Sequence, residues 1–410
     1  MTRHAPGFPA PRYGPGGVTA VLRWAARGGD ARAACAEARR LHARGAFAEA
    51  AQQLRAASDA APWHAGLGLC AAGLARFGLA PFAEAAARLR VVLLLDPPPL
   101  TRRAAARALM ELLWERVGPV PEAAALARML AAGPLAWQAD RLRAAALLNA
   151  AGDGDEAVEI VARLRRIAPR AVKSMAYLEL VLALEARGRH GLRHAEAARR
   201  VSEALAAAAG SFERLVGEDP PGVALVAHGP AMRGARLGAV IDAHRVVIRF
   251  NNYPTTAEAV GDMGRRADIW LRAHNDHHVP LRRPDGVRLI VTSGCDIRHR
   301  FSDGVTRLSQ LIALGAPVET APTALYRALF ARLQAPPSMG LLGLCWFSRA
   351  TGRGVDEAQV FGYALGENAV AATRYYDRTV TGARPGRHDW RAEQALFDAV
   401  LAGNVWTEGA

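Results

Sequence analysis

The range 223–264 constrains the fold more than any other part of this chain. It opens with a short apolar run, 223–227, which predicts a buried strand, and the turn at 228–230 contains a glycine that lets the backbone approach a ligand closely. A second strand is predicted over 245–250, and Asn251 follows it directly. Open α/β sheets bind their ligands at the carboxyl ends of strands, so this layout predicts a nucleotide site.

An ordinary αβ unit with turn asparagines explains the same residues equally well, because short glycine motifs often occur by chance. The dinucleotide fingerprint G-x-G-x-x-G is absent from this stretch. A mononucleotide binder is therefore favoured over a nicotinamide or flavin enzyme.

This segment resembles the long sialylmotif of the family 29 glycosyltransferases, the sialyltransferases, where a glycine turn precedes a strand of the form I-D-x-H-x-V-x-R-x-N-x-x-P. The matching residues are Ile241, Asp242, His244, Val246, Arg249, Asn251 and Pro254. Three further segments follow in the family's order: 337–342 with 360–363 downstream resembles the short motif, 374–377 the third motif, and His388 with Glu393 the final H-x-x-x-x-E. Together they cover roughly the last 190 residues, and none of the four is specific alone.

The resemblance implies a Rossmann-like domain, a variant of the GT-A fold, that inverts configuration without a metal while transferring sialic acid from CMP-sialic acid to a glycan hydroxyl. It assigns His388 as the general base, with Glu393 and Arg249 in support. The implied donor-binding residues are His228, Gly229, Asn251, Ser338, Gly340, Arg374, Tyr375 and Tyr376. No cofactor is expected beyond the CMP-sugar, which is the substrate.

Several residues depart from the family's pattern. His228 stands where the family has asparagine in the glycine turn, and Arg374 stands where the third motif has histidine. Val223 and Thr351 take the approximate places of two cysteines that join the long and short motifs in animal enzymes. Two alternatives therefore stay open: a transferase that uses another CMP-activated acidic sugar such as Kdo, and a non-catalytic scaffold with a decayed transferase domain.

The chemistry of glycosyl transfer gives His388 a role of its own, because the acceptor hydroxyl needs a base. Asp389 is a predicted N-cap of a helix that continues through Val400, so the imidazole would lie beside a positive helix end that disfavours imidazolium. The alternative is a surface histidine at a helix entry.

The other candidates also have ordinary explanations. Ser338 could begin a core helix, Asn251 could satisfy its own backbone in a turn, and the tyrosine pair at 375–376 could be half-buried packing. The segment 272–278 holds three histidines and an aspartate, and reads as a metal site or a phosphate contact through His274. No cysteine or glutamate completes a tetrahedral zinc set there, so no metal is expected.

The first half of the chain is rich in alanine, leucine and arginine and contains an internal repeat. The segment 45–51 aligns with 79–86, and Glu-Ala pairs recur further along. This pattern resembles tetratricopeptide repeats, which predicts an all-α solenoid over residues 21–208, after a disordered lead over 1–20 and before the transferase domain over 212–410. A non-repeat helical bundle is the alternative.

Charge and composition limit the partners. The net charge is +14, and Lys173 is the only lysine. A basic balance favours a nucleotide sugar, an acidic glycan or glycolipid, or a lipid headgroup, and no nucleic-acid motif accompanies it. Cys35, Cys70, Cys295 and Cys345 lack metal-site spacing and are interpreted as small buried hydrophobes. With no apolar run long enough for a membrane span, we expect a cytoplasmic enzyme, peripheral attachment to the inner membrane left open, whose repeats bind a protein partner.

Overall fold

The computed structural model describes residues 36–38, 40–41, 46–60, 81–95, 99–132, 136–189, 191–273, 285–293, 303–364 and 388–407. Within these, residues 47–208 form only helices and turns, which confirms the predicted all-α first half; we call them the helical region. Its helices are α1 (Phe47–Ala60), α2 (Phe82–Leu94), α3 (Pro99–Arg116), α4 (Pro121–Ala132), α5 (Gln138–Ala150), α6 (Gly154–Ile167), α7 (Pro169–Lys173), α8 (Leu178–Ala186) and α9 (Ala195–Ala208).

Alanine sets how these helices pack. It has the highest helix propensity, and its methyl group lets neighbouring helices approach closely. Ala105, Ala123 and Ala144, on three consecutive helices, are fully buried, and leucines such as Leu109 and Leu147 fill the space between the helix axes. Each helix from α2 to α6 packs on the next along the chain.

Glutamates at the starts of three helices join each of them to an earlier helix. Glu84 of α2 accepts from Arg55 of α1 at 2.8 and 2.9 Å. Glu122 of α4 accepts from Arg90 of α2, and Glu156 of α6 from Arg128 of α4, with closest distances of 2.7 and 2.8 Å. We call these three pairs the ion-pair ladder. The three glutamates of the ladder each belong to one of the recurring Glu-Ala pairs. A tetratricopeptide architecture stays a prediction.

In its described residues the α/β region, 211–407, contains six parallel strands in the order β5-β4-β3-β2-β1-β6. They are β1 (Val223–Val226), β2 (Val246–Phe250), β3 (Ile269–Arg272), β4 (Leu289–Thr292), β5 (Val318–Thr320) and β6 (Val360–Phe361). The helices are α10 (Ser211–Gly217), α11 (Gly238–Asp242), α12 (Ala257–Met263), α13 (Gly304–Ile312), α14 (Thr323–Leu333), α15 (Met339–Thr351) and α16 (Trp390–Leu401). The strands predicted over 223–227 and 245–250 are confirmed within one residue at each end.

The sheet is covered on both faces, as parallel sheets require. Side chains alternate along each strand, so Leu225, Ile248 and Leu271 meet α10, α14, α15 and α16, while Val226 and Val247 meet α11 and α12 on the opposite face. Strands β1 and β2 are buried along their whole length, which explains their near-continuous apolar sequence.

The chain changes direction at β1. From β1 it runs through β2, β3 and β4 to β5, and it then returns through α14 and α15 to pair β6 with the other side of β1. The paired residues are Leu225 with Val360 and Val226 with Phe361. A crevice outside the carboxyl ends of such a pair is where open α/β sheets bind ligands.

The two regions share one hydrophobic core. Helix α9 packs on α13 and on β5, so Val201 belongs to the same buried cluster as Trp270 and Leu308. Near the other face, Phe82 of α2 lies edge-on to Phe330 of α14, with 5.1 Å between ring centroids. Residues 208–212 contain the turn between α9 and α10, and the buried cluster that includes Val201 extends across it; the division into two domains stays a prediction.

In the part of the chain that the structure describes, no helix is long and apolar enough to cross a membrane.

Candidate functional site

Two glycines bring the ends of β1 and β6 together. The Gly229 N–H donates to the Gly362 carbonyl at 2.8 Å, and a Cβ at Gly229 would lie 2.5 Å from that oxygen. Gly362 has a φ of +67°, and a Cβ there would lie 2.6 Å from the Ala227 carbonyl. The close approach that the glycine turn predicts is thus an approach of two strand ends, which shapes the floor of the crevice.

His228 lies between these strand ends and is half-buried. Burial, and secondly the positive charge of Arg249, lower the pKa of His228 to about 4. The imidazole is therefore neutral at pH 7 and offers one donor and one acceptor. A neutral ring at this position can form the hydrogen bonds that an asparagine side chain would form.

Asn251 follows β2 in the left-handed region, with a φ of +49°. Its Oδ1 accepts from the Ala273 N–H at 2.9 Å, and its backbone carbonyl accepts from Trp270 Nε1 at 2.7 Å. The side chain therefore ties the end of β2 to the end of β3 and does not satisfy its own backbone, which corrects the turn alternative. The Asn251 amide nitrogen has no partner among the described residues.

Helix α15 begins at the same edge of the sheet. Ser338 is its N-cap, since Ser338 Oγ accepts from the Leu341 N–H at 3.2 Å. Tyr363, just after β6, donates its hydroxyl to the Gly340 carbonyl at 3.2 Å, and a Cβ at Gly340 would lie 3.2 Å from the Tyr363 ring. The start of α15 and the end of β6 therefore pack together.

Glu393 of α16 joins the last motif to the short motif. Its carboxylate is fully buried, and Oε1 accepts from the Ser338 N–H at 2.8 Å and lies 3.4 Å from His388 Nδ1. Oε2 has no hydrogen-bond partner in the described ranges. Ser338 and Glu393, 55 positions apart in the sequence, are thus joined at the start of α15.

The His388 ring has a defined orientation. Its Nδ1 lies 2.7 Å from the Pro336 carbonyl, and a carbonyl can only accept, so Nδ1 carries the hydrogen. Nε2 of the neutral ring is then an acceptor with a free lone pair. The predicted cap beside it is confirmed, because Asp389 Oδ1 accepts from the Ala392 N–H at 3.0 Å. The histidine side chain keeps 19% exposure, so the ring is reachable from solvent.

Arg249 is fully buried within β2 and acts on the backbone. Its Nε donates to the Arg266 carbonyl at 3.0 Å and its Nη2 to the Met263 carbonyl at 2.5 Å. These bonds hold the chain that follows α12. Burial lowers the pKa of Arg249 to about 10, so the guanidinium is still charged at pH 7 and contributes to the low pKa of His228.

Some predicted residues lie outside the described residues. These are Arg374, Tyr375 and Tyr376, proposed for the leaving phosphate, and the histidine-rich segment 274–278, proposed for a metal or phosphate. Among the residues with described placement, no three His, Cys, Asp or Glu side chains form a group that could hold a metal ion.

Sequence reasoning missed the parts of the site that depend on pairing between distant segments. The Pro336 carbonyl fixes the His388 tautomer, and Gly362 receives the Gly229 N–H. A prolyl carbonyl has no sequence signature. Gly362 belongs to the segment 360–363 that resembles the short motif, but its pairing with Gly229 has no local sequence signal.

This sequence matches no model of a known protein family and no curated protein.

Proposed function

We propose that this chain is an inverting, metal-independent glycosyltransferase that moves sialic acid from CMP-sialic acid to a glycan hydroxyl, with His388 as general base. The observation that supports it best is that His388 and Ser338 both meet the Glu393 carboxylate, beside the point where the chain changes direction in the sheet. Two segments that resemble separate sialylmotifs meet there. The resemblance supplies the identity of the sugar, and the geometry supports the acid–base chemistry.

In this proposal His388 Nε2 takes the proton of the acceptor hydroxyl while the hydroxyl oxygen bonds to the anomeric carbon. The bond from that carbon to the CMP phosphate oxygen breaks with inversion, and CMP leaves with the bonding electrons. Nδ1–H stays bonded to the Pro336 carbonyl, so the ring cannot turn away. The buried Glu393 carboxylate, 3.4 Å from Nδ1, stabilises the imidazolium that forms.

The donor would lie across the carboxyl ends of β1, β2 and β6. His228 is neutral there, and the Asn251 amide nitrogen is open to a ligand. The first N–H groups of α15 lie near Gly340 and favour a phosphate, because a helix N-terminus has partial positive charge. Arg374, Tyr375 and Tyr376 would complete the phosphate contacts, as the resemblance implies.

The first experiment is calorimetric titration of the purified chain with CMP, with UMP, GDP and NAD as controls and EDTA present throughout. Selective CMP binding is expected, followed by turnover of CMP-sialic acid in a screen that includes CMP-Kdo. Absence of CMP binding would contradict the proposal and favour a non-catalytic scaffold. Turnover of CMP-Kdo alone would keep the mechanism and correct the sugar.

A pair of variants then tests the base. His388→Asn retains a side-chain N–H at the position of Nδ1 and removes Nε2, so kcat should fall by about 10² or more while the Kd for CMP stays within about threefold. His194→Asn, in the helical region, is the matched control and should leave both values unchanged. Normal turnover by His388→Asn would remove the base assignment.

A further inference from the structure

Many arginines of the helical region pair with a carboxylate. Those of the ladder pair with glutamate, and Arg163, Arg187 and Arg199 each have a carboxylate within 4 Å. Around α7 the pattern stops. The basic residues there that have no ion pair with any described residue are Arg166, Arg170, Lys173, Arg189 and Arg193, and all five are exposed.

These five residues form one surface, which we call the basic rim. Arg166 and Arg189 line the same cavity, and the Arg193 N–H donates to the Lys173 carbonyl at 2.9 Å. Arg170 and Lys173 are three positions apart on α7, so they share a face. The C-terminal ends of α6 and α7 carry only partial negative charge, which does not neutralise the full positive charges of these five side chains.

The cavity inside the rim has apolar walls. It encloses about 190 Å³ between α6, α7, α8 and the segment before α9, and its walls include Val161, Val172, Leu184 and Leu192, all buried. None of the described residues that line it is acidic. An apolar cavity of roughly 150 Å³ is large enough to accept benzene, so this one can take a single ring or a short chain.

From this combination we infer that the cavity binds an amphiphilic anion, with an apolar body of about one ring in the cavity and a phosphate or carboxylate held by Arg166 and Arg189. Guanidinium groups bind phosphate and carboxylate through paired N–H donors. The apolar walls favour a ligand with an apolar group, which neither water nor an inorganic ion has. The site is separate from the carboxyl edge of the sheet. Ile167, 65% exposed next to Arg166, adds apolar surface beside the rim.

Two sources can supply such an anion: a free aryl or alkyl phosphate, or the lipid of an anionic bilayer. Phenyl phosphate is the probe for the first, titrated by calorimetry beside inorganic phosphate and benzyl alcohol. Vesicles of phosphatidylglycerol, with phosphatidylcholine vesicles beside them, test the second. Phenyl phosphate is expected to bind saturably and at least about tenfold more tightly than inorganic phosphate or benzyl alcohol. Inorganic phosphate lacks the contacts with the apolar walls, and benzyl alcohol lacks the charged contacts with the arginines.

Two variants locate the binding. The double variant Arg166→Gln/Arg189→Gln should weaken phenyl phosphate by about tenfold or more. Ala162→Leu adds three carbons to the lining of the cavity and should weaken phenyl phosphate while the rim stays intact. Arg163→Gln/Arg200→Gln removes the same charge from two exposed arginines that are paired with Glu159 and Glu196, and should change the affinity less than about twofold. Circular dichroism and Tm establish that each variant is folded.

The outcomes divide clearly. Binding of phenyl phosphate that both site variants weaken and the control does not supports the site, and added affinity for phosphatidylglycerol vesicles assigns the source to a bilayer. Equal affinity for inorganic phosphate, an equal loss in the control variant, or no saturable binding of phenyl phosphate each overturns the proposal.

Discussion

The two regions of the molecule use carboxylates in different ways. In the helical region a carboxylate bonds to arginine: Glu84 to Arg55 in the ladder, and the buried Asp140 to Arg103 and Arg107 at 3.0 and 2.6 Å. Both partners are side chains on regular helices. The carboxylate therefore joins one helix to another and leaves the backbone unchanged.

In the α/β region buried carboxylates bond to backbone N–H groups. Glu319 accepts from the Gly210 and Phe212 N–H groups at 2.7 and 2.8 Å, and Asp262 accepts from the Gly234 and Arg236 N–H groups at 2.8 and 3.1 Å. Glu393 does the same with Ser338. These acceptors hold turns whose N–H groups have no partner in a helix or sheet.

The difference teaches where a defined site can form. An ion pair between two side chains recurs along the helical region and tolerates substitution of either partner. A carboxylate bonded to backbone N–H groups, in contrast, fixes one irregular segment in one conformation. The candidate site consists of such segments. The comparison can be tested by removing carboxylates of each kind.

The largest expected effect is that of Asp140→Ala in the helical region. Asp140 is 1% exposed, and its removal leaves two partly buried guanidinium groups without their shared acceptor. We expect the free energy of unfolding to fall by about 3 to 5 kcal/mol. Urea denaturation measures it, and a loss under about 1 kcal/mol would show that the arginines find other partners.

The second-largest expected effect is on the pH dependence of stability, and it comes from His228 in the α/β region. The pKa of His228 is lowered from 6.5 to about 4, so between these values the unfolded chain binds the proton and the folded chain does not. Stability from this group is present above pH 6.5 and lost as the pH falls towards 4, by at most about 3 kcal/mol. His228→Asn should flatten the curve in this window. A variant curve as steep as that of the parent chain would contradict the burial of the ring.

Glu319→Ala should cost less, about 2 kcal/mol, because it leaves the N–H groups of Gly210 and Phe212 at the start of α10 without acceptors. Glu319→Gln retains one carbonyl acceptor and should cost about half as much. Denaturant unfolding measures the loss in free energy of unfolding for each variant. Equal losses for Glu319→Ala and Glu319→Gln would indicate that the carboxylate acts through its charge and not through its hydrogen bonds to the backbone.

The smallest effect belongs to the ladder. Glu84→Ala should cost less than about 1 kcal/mol, since both side chains of the Arg55 pair are partly exposed. The hydrogen bond from Arg55 lowers the pKa of Glu84 below 4.5, so its contribution is present above that value and is lost as the pH falls. Thermal unfolding of Glu84→Ala and of the parent chain, at low and at high salt, measures the loss of stability. A loss that is equally large at high salt would contradict an exposed ion pair.

Much of the fold could be predicted from local pattern. Apolar runs located β1 and β2, and the capping residues Ser338 and Asp389 placed the starts of α15 and α16. The sequence did not reveal that α9 packs on β5, because alanine at a helix surface looks alike whether it meets another helix or a sheet. That contact depends on segments more than 100 residues apart, which no local period encodes.

The site was predicted unevenly for the same reason. His388 and Glu393 follow from a motif within one helix entry, and the structure adds that Glu393 reaches the Ser338 N–H. For Asn251 the sequence suggested a turn, but the bond to Ala273 needs the neighbouring strand in place. Sialic acid as the sugar, and roles for Arg374, Tyr375 and Tyr376, stay predictions from the resemblance alone.

The pairing of β6 with β1 also has a consequence for synthesis on the ribosome. The paired residues Val226 and Phe361 are 135 positions apart, so β1 leaves the ribosome as an open edge long before its partner exists. Open strand edges invite pairing with other chains, which makes this interval the hazardous one for the nascent protein. His388 and Glu393 emerge later still. A chain released before these residues are made would therefore be an aggregation-prone fragment without the candidate base, and the proposed chemistry could begin only after Glu393 has been synthesised.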